Sequence, residues 1–132
     1  MQSDTTIPNN YYQRILFLKT PGNKFHQFFD AQIIQIECDN DNLTFSIDEN
    51  GKVQKYFGTG SLKALMQQLP SGIFMRINQS NIINGTKVID FFELKKKNYV
   101  LLSNNIELPS TPSGWKIFKS HILCYKPKRK KK

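Results

Sequence analysis

Two histidines, two cysteines and a short run of acids are the residues of this 132-residue chain most suited to covalent or metal chemistry, and none stands at a spacing that supports it. His26 and His121 lie in different segments, without a Ser, Cys or carboxylate placed to complete a nucleophile-and-base pair or a ligand set. Each reads as a surface or packed residue. Asp39 and Asp41 alternate with Asn40 and Asn42 in a turn that lacks the glycine and bidentate Glu of a calcium loop. Pro21-Gly22-Asn23 and Gly58-Thr59-Gly60 lack the Lys and the spacing of a phosphate-cradling loop. Cys38 and Cys124 are far apart and show no disulfide or zinc pattern, which fits a reducing cytosol and a cytoplasmic location. The expectation is a protein without enzymatic activity, metal, cofactor or small-molecule substrate.

Charge and amides suggest a different chemistry. The formal net charge is +9, but Lys126 to Lys132 holds six of the 19 basic residues and no acid, leaving thirteen against the ten acids of the body. A modestly charged body with a concentrated basic tail favours a polyanion partner. Asn and Gln are plentiful in the predicted turns, where their amides could pair with adenine N6 and N7 while lysines neutralise phosphate. Turns also favour Asn for backbone reasons. A basic RNA-binding or ribosome-associated β protein would use the same charge together with the ten Phe and five Tyr.

The length fits one domain with a real core. Met1 to Gln13 reads as a flexible lead with neither the basic start nor the apolar stretch of a signal peptide, and Tyr125 to Lys132 as a disordered basic tail. No apolar run approaches the ~18 residues of a membrane span. Between them, residues 14–124 form the domain. Ile15 to Lys19, Ile33 to Cys38, Leu43 to Ile47 and Val53 to Phe57 are strand-sized and rich in Ile and Phe. Leu43, Phe45 and Ile47 alternate with polar residues, and Asp48-Glu49-Asn50-Gly51 predicts a tight hairpin. At Ser61 the period changes: this serine can cap a helix carrying Leu62, Leu65, Met66 and Leu69 on one face, ended by Pro70-Ser71-Gly72. Strands resume at Ile73 to Ile77, Ile82-Ile83, Lys87 to Leu94 and Tyr99 to Leu102, with turns at Lys95 to Asn98 and Ser103 to Asn105. After Pro109 to Gly114, Trp115, Phe118 and Ile122 share a helical face as core anchors. The predicted fold is mainly β, small antiparallel sheets in a meander with one or two short helices.

The stretch Phe74-Met75-Arg76-Ile77-Asn78-Gln79-Ser80-Asn81-Ile82-Ile83-Asn84 resembles the signature of LytTR-type DNA-binding domains, with Phe74, Arg76, Ser80, Ile82, Ile83 and Asn84 fitting its pattern. Ile33 to Cys38 is similar to the family's Ile-Glu strand, and Ser61-Leu62-Lys63-Ala64-Leu65 to its Ser-Leu-x-x-Leu helix. The resemblance spans about Ile15 to Leu123. It implies a transcriptional regulator of bacterial type whose loops enter successive major grooves of double-stranded DNA, as a stand-alone regulator or an excised domain, with a homodimer on a repeated site as one arrangement. It places DNA contacts at Asn40 and Asn42 after the Ile-Glu strand, at Arg76, Asn78, Gln79, Ser80 and Asn81 around the signature, and at Ser110 and Thr111 in the last loop. The chain departs from the family twice: Asn78 stands where the family has His, and Ser110 or Thr111 where it has the loop-opening Arg. Those departures keep open a protein-interaction domain that has lost DNA contacts.

Overall fold

The computed structural model describes residues 14–20 and 22–125; the predicted lead, Met1 to Gln13, and nearly all of the predicted basic tail lie outside the described residues. Strands β1 (Ile15–Thr20) and β2 (Lys24–Phe29) pair as a hairpin. Strands β3 (Ile33–Asp39), β4 (Asn42–Glu49), β5 (Lys52–Thr59), β6 (Phe74–Asn78) and β7 (Asn81–Asn84) form a five-stranded antiparallel sheet in the order β5-β4-β3-β7-β6. Strands β8 (Val88–Leu94), β9 (Lys97–Leu102) and β10 (Glu107–Pro109) form a third sheet, and two α-helices, α1 (Leu62–Met66) and α2 (Pro112–Ser120), with short 3-10 turns at Asp30–Gln32 and Gly85–Lys87, complete the described fold. The mainly β expectation holds. The meander holds within each hairpin but breaks in the middle, where β3 pairs with β7, Gln35 opposite Ile83 and Ile36 opposite Ile82.

Both faces of the five-stranded sheet are covered, so its central strands are apolar on both sides. On one face Ile33, Ile36, Leu43, Phe45, Ile47, Phe74 and Ile82 pack with Leu18 and Phe28 of the β1–β2 hairpin and Leu62 of α1. On the other, Ile34, Met75, Ile77 and Ile83 pack with Val100, Leu102, Leu108 and Phe118. The doublets Ile33-Ile34 and Ile82-Ile83 therefore serve two cores at once. The alternation of Leu43, Phe45 and Ile47 is the one-faced pattern, all three entering the first core.

The local signals are realised with small shifts. Asn50 and Gly51 take φ of 56° and 86° in the β4–β5 hairpin, as the Asn-Gly pair requires. Ser61 caps α1, its hydroxyl accepting from the Ala64 amide at 3.1 Å. Helix α2 starts inside the segment expected to precede it, because Thr111 is the N-cap and Pro112 fits the first turn, where no amide partner is needed. Strands β2 and β10, with no strand expected there, were the additions.

The β4–β5 turn is fastened electrostatically. Asp48 accepts from the Gly51 amide at 2.9 Å and from Lys87 Nζ at 3.2 Å. These contacts, the amide first, hold its carboxyl below the ordinary value of 3.8 against a smaller opposing effect of burial. A depressed carboxylate stabilises the fold above its unfolded pKa and loses that contribution as pH falls through the folded value. Asp48→Asn is expected to cost about 1 kcal/mol near neutral pH. Urea unfolding at a series of pH values should show the gap closing below about pH 4; a gap independent of pH would refute the electrostatic account.

Candidate nucleic-acid interface

Three loops meet at one end of the five-stranded sheet. The β3–β4 turn carries Asn40, at φ 59°, and Asp41; Asn takes this left-handed conformation more readily than most residues. It is held by Cys38 Sγ donating to the Asn40 carbonyl at 2.9 Å and by the Gly60 amide donating to the Asp41 carbonyl at 3.0 Å. The β6–β7 turn carries Gln79 and Ser80 and is tied to the first by the Cys38 amide, which donates to the Ser80 carbonyl at 2.9 Å. The third loop, Ser110-Thr111, joins β10 to α2. There the Thr111 amide donates to the Ile77 carbonyl at 3.1 Å, and Thr111 Oγ1 accepts from the Gly114 amide at 3.0 Å.

The β6–β7 turn is shaped by side chains on either side of it. Arg76 donates through Nη2 to the Gln79 carbonyl at 2.8 Å, across the bulge between Arg76 and Asn78. Asn78 Oδ1 accepts from the Ser80 amide at 2.9 Å, while its Nδ2 donates to the Pro109 carbonyl at 2.7 Å and so joins this turn to the third loop. Beneath lies a chain of amides: Asn104 donates to Gln35 at 3.3 Å, Gln35 to Asn81 at 2.8 Å and Asn81 to Asn78 at 3.2 Å. Satisfied buried amides of this kind rigidify what they support.

The nine expected contact residues therefore divide. Asn40, Asn42, Arg76, Gln79 and Ser80 are exposed, and Ser110 and Thr111 half-exposed, at the same end of the sheet. Two depart from the expectation of outward-facing groups. Asn81 is only 6% exposed and has both ends of its amide bonded within the protein, and Asn78 is half-buried and braces two loops. Gln79 is the contrast: its side chain makes no hydrogen bond with a described residue, and it borders two shallow grooves. One groove runs to Ser110 and Thr111; the other runs to Asn40 and the start of α1 at Ser61 and Lys63. Lys63 was not expected at the site, although the Ser-Leu-x-x-Leu stretch contains it.

The candidate chemical residues stay apart. His26 stacks on Phe28 at 4.8 Å and His121 bonds the Ile117 carbonyl at 2.8 Å. Among the described residues no three His, Cys, Asp or Glu converge, and no helix is long and apolar enough to cross a membrane.

By its architecture the chain is a mainly β domain that presents three amide- and hydroxyl-bearing loops at one end of its central sheet, braced from below. The family model of the LytTr DNA-binding domain matches residues 23–122, and the chain belongs to that family. A solved LytTr DNA-binding domain from Bacillus cereus superposes with a TM-score of 0.69 at 17% identity, covering 81% of this chain and 94% of that one, a likeness of fold. No curated protein matches the sequence. The chain is thus a DNA-binding protein of transcription regulation, and its family is one of DNA-binding domains and not of enzymes.

Proposed function

We propose that this protein is a bacterial transcriptional regulator that reads a specific sequence in double-stranded DNA by placing the β6–β7 turn in a major groove, with the β3–β4 turn and the Ser110-Thr111 loop on its two sides. The observation that carries this reading is Gln79: an exposed amide at the crest of a braced turn, between two grooves. Its donor and acceptor suit adenine N6 and N7, and such a pair discriminates by about 1–3 kcal/mol. Asn40, Ser80, Ser110 and Thr111 supply further edge or phosphate contacts, and Arg76, Asn78 and Asn81 hold the turn in place. A homodimer on a repeated site would double the footprint.

Gln79→Ala is expected to relax preference at one base pair of each half-site in a selected duplex while leaving non-specific affinity and salt dependence nearly intact. Arg76→Ala, with its fold checked by circular dichroism, should weaken binding to every duplex. A Gln79→Ala protein with wild-type preference at every position would remove Gln79 from base readout. One observation favours a second reading: Phe17 and Phe25, 56% and 63% exposed on the outer face of the β1–β2 hairpin, could stack on unpaired bases of RNA. Structured RNA that competes as well as duplex DNA at one salt concentration would replace the first reading by the second.

A further inference from the structure

We propose that the tip of the β8–β9 hairpin, Lys95-Lys96-Lys97, is a phosphate clamp that holds the DNA backbone beside the groove entered by the β6–β7 turn. This inference rests on the reading of that turn given above. The ladder ends with Leu94 opposite Lys97, so Lys95 and Lys96 are the two residues of a tight turn, at φ 53° and 66°. Both lie in the left-handed region, where a residue with a Cβ is disfavoured and Asn-Gly is the preferred pair. The same chain uses Asn-Gly for its β4–β5 hairpin. Lysine at both positions gives up backbone ease for two cations, and local strain of this kind gathers at functional positions.

The place of the tip supports the same assignment. Pro109 lies opposite Tyr99, and the Ser110 amide donates to the Asn98 carbonyl at 2.9 Å, so the lysines stand beside the third loop. One residue on, Thr111 is bonded to Ile77 at the foot of the β6–β7 turn. The tip is thus joined through the third loop to the foot of that turn by two backbone hydrogen bonds. From there its cations reach phosphates flanking the groove that the turn enters. All three lysines are exposed, and none forms an ion pair with a described residue. A tip of this kind contributes affinity without sequence preference, through counterion release.

The test is the double variant Lys95→Asn/Lys96→Gly, which removes both cations and installs the residues the turn geometry prefers, so that folding is kept. Wild type and variant are titrated at several salt concentrations on a selected duplex and on a scrambled one. The variant is expected to lose affinity by the same factor on both, its slope of log K against log salt falling by about 1.8 for two lost contacts, with unchanged base preference and no fall in melting temperature. A variant equal to wild type in affinity and slope overturns the clamp while leaving the base-reading turn standing. Lost base preference would overturn the assignment to phosphate. A wild-type protein that binds no duplex would overturn the turn and the clamp together.

Discussion

Gly114→Ala is expected to lower the stability of the domain by about 3 kcal/mol, opposite in sign to what helix propensity predicts. Within α2 alanine should be favoured over glycine by about 1 kcal/mol. Yet Gly114 is buried where α2 crosses β6, and a Cβ there would fall on the Ile77 carbonyl, 2.7 Å from its carbon and closer still to its oxygen, and 3.1 Å from the Arg76 oxygen. The obstacle is strand backbone, fixed by the β6–β7 ladder and by the Thr111 amide bonded to that same Ile77 carbonyl. The helix must move, and Phe118, 1% exposed, and the Trp115 ring packed 5.3 Å from it move with it. Overpacking of this kind costs about 1–3 kcal/mol, occasionally more. At roughly 4–8 °C per kcal/mol for a domain near this size, thermal unfolding should shift down by more than 10 °C. Displacing α2 also pulls Thr111 from the β6–β7 turn, so duplex affinity should fall at temperatures where the variant is still folded. An alanine variant as stable as wild type would show that α2 does not lie against β6 at this distance.

Gly114 also shows what the sequence conceals. In the sequence it closes a Pro- and Ser-rich stretch that looks like a lead-in, and only the crossing of α2 over β6 makes it a contact point. Elements with a one-faced periodicity were legible: Leu43, Phe45 and Ile47, the Asn50-Gly51 turn, and α1 from its Ser61 cap and leucines. Strand β2 was not, because Phe25 and Phe29 are on its exposed face and Phe28 alone turns inward, leaving no alternation to detect. Strand β10 is three residues long and ends in Pro109, so it reads as loop. The β3–β7 pairing joins segments more than forty residues apart and has no local signature. At the site, the signature from Phe74 to Asn84 located the central turn, but residue type did not separate presenting from bracing amides. Gln79 and Asn81 differ in exposure because Gln35, far away in sequence, offers Asn81 a buried partner. The Lys95-Lys96 turn was expected from its polarity, whereas its left-handed geometry without glycine was not.

Asn84, the last residue of that signature, is fully buried and sits at the junction where the β3–β7 ladder runs out. The ladder's last pair is Gln35 with Ile83, and β3 bulges between Ile33 and Gln35, so backbone pairing with β7 stops there. The side chain continues it: Asn84 Nδ2 donates to the Ile33 carbonyl at 2.9 Å and the Ala31 carbonyl at 3.3 Å. Its Oδ1 accepts from the Thr86 amide at 2.9 Å and the Thr86 hydroxyl at 2.7 Å, capping the turn into β8. Asn84→Leu keeps most of the volume and removes all four bonds. Each buried group left without a partner costs about 1–3 kcal/mol, so a loss of about 3–4 kcal/mol is expected from chemical unfolding. Asn84→Asp separates hydrogen bonding from shape. Its carboxylate can still accept from Thr86 but would face the Ile33 and Ala31 carbonyls, which disfavour the charged form and raise its folded pKa. A raised carboxyl pKa means the folded state holds its proton longer than the unfolded one. The deficit of this variant should therefore open as pH rises above about 3.9, the unfolded value, and stop growing above the folded pKa. An Asn84→Leu protein within 1 kcal/mol of wild type, or an Asn84→Asp deficit that does not change with pH, would mean that packing and not this amide holds β3 to β7.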